Sequence, residues 1–504
     1  MMSKKRNALV VIIFSLLITS LFHNQALGLN LLISETLFIT WILITKQFNF
    51  RELYPLTLGL GLIITAISTV ITFSVFSNII NFLVLFLFVG LLIYPATNSI
   101  FNIFGQACSN IFNSQIQFIK DLSASKFNGH NLGSYIWKSR IFMIPIFIIL
   151  LFIIIYRLSN PVFDDLVGDI EMFLYEKGSF LFEDFNFSLI ITLMISLFVS
   201  IFIFIRTSNQ RLIEIDKNSS EELERKKKRI SKYFRSNALT NEFKAGVFLL
   251  IVLNMVILVL NIIDIRWVWF GFEWEGEFLK QFVHEGTYLL IFSIIISIIL
   301  VLYFFRGNLN FYKKNRLLKY LSYIWLVQNG ILALSVAIRN FWYINHFALA
   351  YKRIGVIIFL ILTVYGLYTV YVKVWQRKSV FYLFKTNSYA LLLILIIGSI
   401  INWDTFIAKY NFKNSDKSFL HLDYVATLSD KTLPYLDKSL HELNKIDLIQ
   451  KEKFPFKQNF MTPEEYYQII GERKNIFREN WESKSLLSWN LPEYIAYNKL
   501  FEDK

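Results

Sequence analysis

Between Ala8 and Trp403 the chain returns repeatedly to apolar runs, several of them reaching the ~20 residues that a helix needs to cross ~30 Å of hydrocarbon. A bilayer core offers no water to satisfy backbone N–H and C=O groups, so runs of this length must bond within themselves as helices. Composition agrees with that constraint. Of 504 residues, 55% are hydrophobic and 17% charged, against about 25% charged in an ordinary soluble domain, and the mean hydropathy is +0.48. The expected fold is all-α: a polytopic transmembrane helix bundle of about eleven spans over residues 1–403, then a small soluble helical tail over residues 404–504.

Basic residues between the runs set the orientation. Lys4, Lys5 and Arg6 precede the first run, Ala8 to Phe22, and place the N-terminus in the cytoplasm. The same stretch has the layout of a signal peptide, with cleavage after Gly28 as the alternative. Spans two to four follow at Leu31–Thr45, Leu56–Phe76 and Ile79–Tyr94. Ser99 to Lys120 repeats apolar residues at helical spacing among Asn, Gln and Ser, as either an amphipathic helix at the cytoplasmic interface or an extension of the fourth span. A fifth span, Ile141–Tyr156, leads to an outer acidic loop, 158–187, with seven acids against Lys177. Ser188–Ile205 returns to a cytoplasmic loop, 206–244, holding eleven basic and six acidic residues. Five more spans, Ala245–Ile263, Thr287–Phe305, Leu321–Ile338, Ile354–Val372 and Tyr389–Trp403, leave the tail outside. That tail has 15 basic and 16 acidic residues, a near-neutral balance that suits export. Thr462, Pro463 and Glu465, and then Asn490 with Glu493, are helix-start signals within it. A Lys-, Asn-, Ile- and Phe-rich composition leans towards an AT-rich bacterial genome, hence the bacterial inner membrane with a periplasmic or extracellular tail.

The net charge of +14 resides between spans and not on a soluble basic face, so nucleic acid is not expected as a partner. Cys108 is the single cysteine, which excludes an intrachain disulfide and a cysteine-held metal. The six histidines are scattered, and neither a phosphate-cradling loop nor a Gly-x-Ser-x-Gly elbow is present. No cofactor, metal or catalytic residue is therefore assigned.

Polar residues inside apolar spans are costly, which makes them the first candidates for function. Glu35, about one turn into the second span, is either a proton or cation site, an arginine partner, or a shallow carboxylate reaching headgroup water. Asn254, Asn261 and Gln328, with Asn329, fall in the seventh and ninth spans and either bond helix to helix or line a passage. Asp264, His284, Glu285, Arg339, His346, Arg353 and Asp404 gather at outer helix ends, as an ion-pair belt or an anion pocket. Arg339 and Arg353 break the positive-inside rule and call for partners.

Short landmarks occur in order along the chain: Asn160-Pro161-Val162-Phe163, His284-Glu285-Gly286-Thr287, Val364-Tyr365-Gly366-Leu367, Asp404 through Asn411, Leu422-Asp423-Tyr424, Leu433-Pro434-Tyr435-Leu436 and Ser488-Trp489-Asn490-Leu491. With these, the chain resembles a bacterial membrane family, domain of unknown function 4173, related to 4153. The resemblance implies inner-membrane residence and brings no catalytic residues. It departs at Phe282-Val283-His284-Glu285, where an arginine-rich approach to Gly286 is expected.

Three functions follow in order of preference. A non-enzymatic scaffold or signalling component would dock proteins at the tail or at loop 206–244. A secondary transporter would gather Glu35, Asn254, Asn261 and Gln328 at the midplane, although no inverted repeat is evident. A membrane enzyme would act on a lipid-linked substrate at the outer face, with carboxylates as acid and base and arginines on phosphate.

Overall fold

The computed structural model describes residues 4–46, 53–124, 160–182, 186–225, 238–270, 276–455 and 460–502, with isolated positions between 145 and 159. Helices dominate, and among the described residues no extended strand forms. Six helices are long and apolar enough to cross a bilayer, and four shorter apolar ones, Asn7–Phe22, Leu29–Ile44, Ser188–Phe204 and Tyr288–Phe304, overlap four further expected spans. Most of the fifth expected span, Ile141–Tyr156, lies outside the described residues.

The first half of the bundle contains α1 (Lys4–Phe22), α2 (Leu29–Ile44), α3 (Leu53–Thr72), α4 (Val75–Ile93) and α5 (Ile100–Ala124). α3 and α4 form a hairpin whose turn places Phe73 at φ 41°, closed by a capping box between Ser74 and Ser77. The non-helical stretch Tyr94–Ser99 separates α5 from α4, so α5 is its own helix rather than an extension. Its amphipathicity is turned inside out. Asn102, Gln106, Asn110 and Ser114 are buried, whereas Phe101, Phe104, Phe112 and Ile116 are exposed, the arrangement favoured by a lipid-facing surface and not by water.

Residues 161–182, expected within a loop, instead form a helix, α6 (Pro161–Phe182). Asn160 begins it by accepting from the Val162 N–H at 3.0 Å, and Pro161 occupies the position where a missing N–H costs nothing. α7 (Phe187–Phe204) packs along α1, with Val11, Ile201 and Ile205 in their common core. The short α8 (Gln210–Lys217) follows.

The second half contains α9 (Ala238–Asp264), α10 (Gly276–Phe304), α11 (Arg316–Phe347) and α12 (Tyr351–Gln376), around a core that includes Leu250, Ile294, Leu332 and Leu367. α13 (Val380–Ser399) joins the halves, contributing Leu383 to this core and Leu392 and Ile396 to the core of α2–α4.

The C-terminal segment is built from α14 (Trp403–Lys413), α15 (Leu422–Val425), α16 (Leu433–Leu436), α17 (Leu440–Lys453), α18 (Pro463–Glu482) and α19 (Leu491–Tyr497). Both expected helix starts are present: Thr462 and Glu465 form a reciprocal capping box, and Asn490 accepts from the Glu493 N–H. The segment does not stand apart from the bundle. Ile407, Leu433, Tyr466 and Ile470 share one apolar core with Leu349 of the α11–α12 turn and Ile354 of α12. At Gly28 a Cβ would lie 2.7 Å from the Ser488 carbonyl, so only glycine admits this approach, which is fixed by the Leu29 N–H donating to Trp489 O at 3.0 Å.

Candidate functional site

A buried ion pair lies where the C-terminal segment meets the bundle. Lys431, from the turn before α16, inserts its ammonium at the end of α3. It donates to Thr72 O at 2.9 Å and Phe73 O at 2.7 Å, carbonyls that a helix end leaves without intrahelical partners. Asp404 of α14 neutralises it at 3.0 Å. The same carboxylate accepts from Ser429 Oγ at 2.8 Å and from the hydroxyl of Tyr351, the first residue of α12. One lysine thus ties the α3–α4 turn, α12, α14 and the α16 approach together. Burial pushes the Asp404 carboxyl up, but the Lys431 ammonium and the hydrogen bonds from Tyr351, Lys431 and Ser429 outweigh it and hold Asp404 below the usual carboxylate value.

A second contact reinforces the anchor. Ala348, at φ 62°, turns the chain between α11 and α12, and the next residue offers its backbone to Asn411. Asn411 Oδ1 accepts from the Leu349 N–H at 2.7 Å while its Nδ2 donates to Leu349 O at 2.9 Å, so both peptide groups of a buried turn are satisfied by one amide. The Tyr424 hydroxyl accepts from the Tyr351 N–H at 3.2 Å beside it.

Along α9 and α11 the expected polar residues meet in one zipper. Asn254 Nδ2 donates to Leu321 O at 3.1 Å, Gln328 Nε2 to Asn254 Oδ1 at 2.7 Å, and Asn261 Nδ2 to Gln328 O at 3.1 Å. Asn329 turns back to its own helix, donating to Trp325 O. The zipper ends in a buried ion pair, Arg339 to Asp264 at 2.5 Å. A Cβ at Gly286 would stand 3.4 Å from Arg339 Nη1. The arginine near this glycine therefore comes from α11, not from the preceding residues of α10.

Among the described residues, the outer charges expected as an ion-pair belt or an anion pocket are divided between separate partners. Arg339 takes Asp264, Asp404 takes Lys431, and Arg353 donates to the Phe347 and Ala348 carbonyls while lying 4.5 Å over the Tyr343 ring. The side chains of His284 and Glu285 lie outside the described residues. His346 lines a cleft of about 350 Å³ with Asn345, Tyr410, Asn414, Lys417 and Ser418.

Glu35 is not a shallow carboxylate. It is 3% exposed, between α2, α3 and α4, and accepts from Asn81 Nδ2 at 3.0 Å. Thr65, Ser68, Thr69 and Thr72, buried on one face of α3, run from there to the carbonyl that Lys431 holds.

At the other end of the bundle, the described part of the basic loop is fastened down. Asp216 accepts from the Asn98 N–H at 2.8 Å and Ser99 Oγ at 3.2 Å just before α5, and Glu221 pairs with Lys385 at 2.6 Å. Residues 226–237 lie outside the described residues.

A family model described as Domain of unknown function (DUF4153) matches residues 8–439. The chain belongs to that family. The DUF4153 match begins in α1 and ends just beyond α16, so it takes in Asp404, Asn411 and Lys431 together with the membrane helices they bind, and leaves out the landmark at Ser488–Leu491. Neither a curated protein nor a solved structure matches the chain.

Lys431 and Asn81 were missed by sequence reasoning. Lys431 sits among ordinary charges of a soluble-looking segment, and Asn81 is a lone amide in an apolar run; only the fold reveals that each faces a buried carboxyl.

Proposed function

We propose that this family member is a non-enzymatic scaffold or assembly component of the bacterial inner membrane. It crosses the bilayer about eleven times, residues 1–403 forming the membrane domain and 404–504 an exported helical cap. One observation carries the reading: the buried polar side chains of the α9–α11 seam and of the cap anchor are bonded to one another. Asn254, Asn261 and Gln328 bond helix to helix, Arg339 neutralises Asp264, and Lys431 closes on Asp404. Charges spent on each other are poor ligands for a transported solute or a phosphate, because freeing one strands its partner in an apolar interior. The cap, held by a buried lysine and a shared core, instead presents a fixed surface, with Tyr467 and Ile476 exposed on α18 and Phe460 exposed just before it. Partner proteins meet this surface or the basic loop 206–244, and no nucleic acid or small molecule is required. The ordered landmarks from Asn160 to Leu491 support kinship with domain 4173 as well.

Two experiments test the reading. In a strain that depends on the chain, Tyr467→Asp combined with Ile476→Asp abolishes complementation at normal membrane levels, whereas Asn254→Leu with Gln328→Leu preserves it; the opposite ranking favours transport through the bundle. In a Cys108→Ser background, Phe460→Cys reacts with a membrane-impermeant maleimide in spheroplasts and Glu222→Cys does not. Labelling at position 222 alone contradicts the orientation.

A further inference from the structure

Glu35 is a buried charge-bearing group that the scaffold reading leaves unused, and its surroundings are unlike those of Asp404. Asn81, wholly buried on α4, gives Glu35 Oε2 its one hydrogen bond, and the same Nδ2 reaches Thr65 Oγ1 at 3.4 Å. The Thr65 hydroxyl proton is already directed to Gly61 O at 2.8 Å. Two buried oxygens of the pair then have no donor, Glu35 Oε1 and Asn81 Oδ1, and both can only accept as long as Glu35 is ionised.

Among the described residues, the elements packed on α2 bring no compensating charge to this depth. α4 carries no titratable residue; α3 has only Tyr54, at its opposite end; the basic residues of α1, Lys4, Lys5 and Arg6, begin that helix, whereas Glu35 lies near its close; and Leu486–Ser488, which touches the start of α2, is uncharged. An ionised carboxylate holding one amide hydrogen bond, with no cation, is among the costliest groups a protein can bury. A single proton removes both deficits. Placed on Oε1, it turns an orphaned acceptor into a donor and supplies the donor that Asn81 Oδ1 lacks, giving an acid–amide pair with a bond in each direction.

We propose that the Glu35–Asn81 pair is a proton-binding site, occupied at neutral pH, which locks α2 against the α3–α4 hairpin. The ligand is a proton taken from water: an O–H bond forms at Glu35 Oε1, and the proton is shared by hydrogen bond with Asn81 Oδ1. Releasing it leaves an uncompensated charge buried between α2 and the hairpin and loosens α2 from the hairpin.

The test is infrared difference spectroscopy on the full-length chain in lipid nanodiscs. At neutral pH the native chain shows the carbonyl stretch of a protonated carboxyl, which Glu35→Gln removes and which alkaline titration removes reversibly. Asn81→Leu keeps the band but shifts it to the frequency of a non-bonded acid. Glu35→Gln, whose amide can also donate to Asn81 Oδ1, folds with native thermal stability. A band unchanged by Glu35→Gln overturns the site, and a band unmoved by Asn81→Leu overturns the acceptor. Neither result touches the scaffold reading, which rests on the α9–α11 bonds and the cap anchor.

Discussion

Asp404 and Glu35 are both carboxyls withdrawn from water, and they are satisfied in opposite ways. Asp404 has a cation at 3.0 Å and hydroxyl donors from Ser429 and Tyr351, so its negative charge is the form the structure holds. Glu35 has one amide donor and an orphaned second oxygen. The residue type is nearly the same; the helix ends and side chains arriving from other parts of the chain decide the role. A buried acid with a paired cation is an anchor, and breaking it strands the partner. A buried acid without one is complete only with a proton. Position in the fold follows the same division, since the anchor joins the C-terminal segment to the bundle whereas Glu35 joins membrane helices to each other.

Removing the cation should break the comparison most forcefully. Lys431→Met leaves Asp404 buried and uncompensated and also frees the Thr72 and Phe73 carbonyls, and is expected to cost about 3–5 kcal/mol. Thermal unfolding in micelles reports the loss, and limited proteolysis should cut within 404–504 at lower protease concentration. Asn411→Ala comes next, because it strands both peptide groups of Leu349 at about 1–3 kcal/mol, read by the same unfolding assay.

Acid should act on the anchor and not on Glu35, and by less. With Asp404 held below its usual value, its contribution is complete above the ordinary carboxylate range of about 4 and is lost as pH falls through the lower folded value. Protease sensitivity of the cap should therefore rise in strong acid in the native chain and rise less in Asp404→Asn. The smallest effect belongs to the α9–α11 zipper, where Gln328→Leu is expected to cost about 0.6 kcal/mol, measured by the same unfolding transition. A larger loss there would move the weight of the account from the cap into the bundle.

The helical membrane class was legible because hydrophobic run length is a local property, readable without knowing any neighbour. Asn254 and Asn261 were legible for a related reason: seven residues apart, they return to one helix face and need partners there. Helix starts at Thr462 and Asn490 were fixed by neighbours three residues away. What sequence could not supply was long-range complementarity. The acids after Asn160 suggest a loop, yet Asn160 and Pro161 begin a helix there. α5 has the right period, but only packing shows that its amides face inward. Asp404 reads as a member of an ion-pair belt or an anion pocket at the outer helix ends, but its partner is Lys431, a residue of the segment expected to stand in water.

The most direct test of a cap locked by one buried ion pair is a double-mutant cycle on Lys431→Met and Asp404→Asn, read by chemical unfolding of the full chain in micelles. Each single substitution should destabilise strongly, while the double variant should recover much of the loss, because no unpaired charge then remains in the interior. Losses that simply add would mean that the pair is not coupled, and would contradict the anchor.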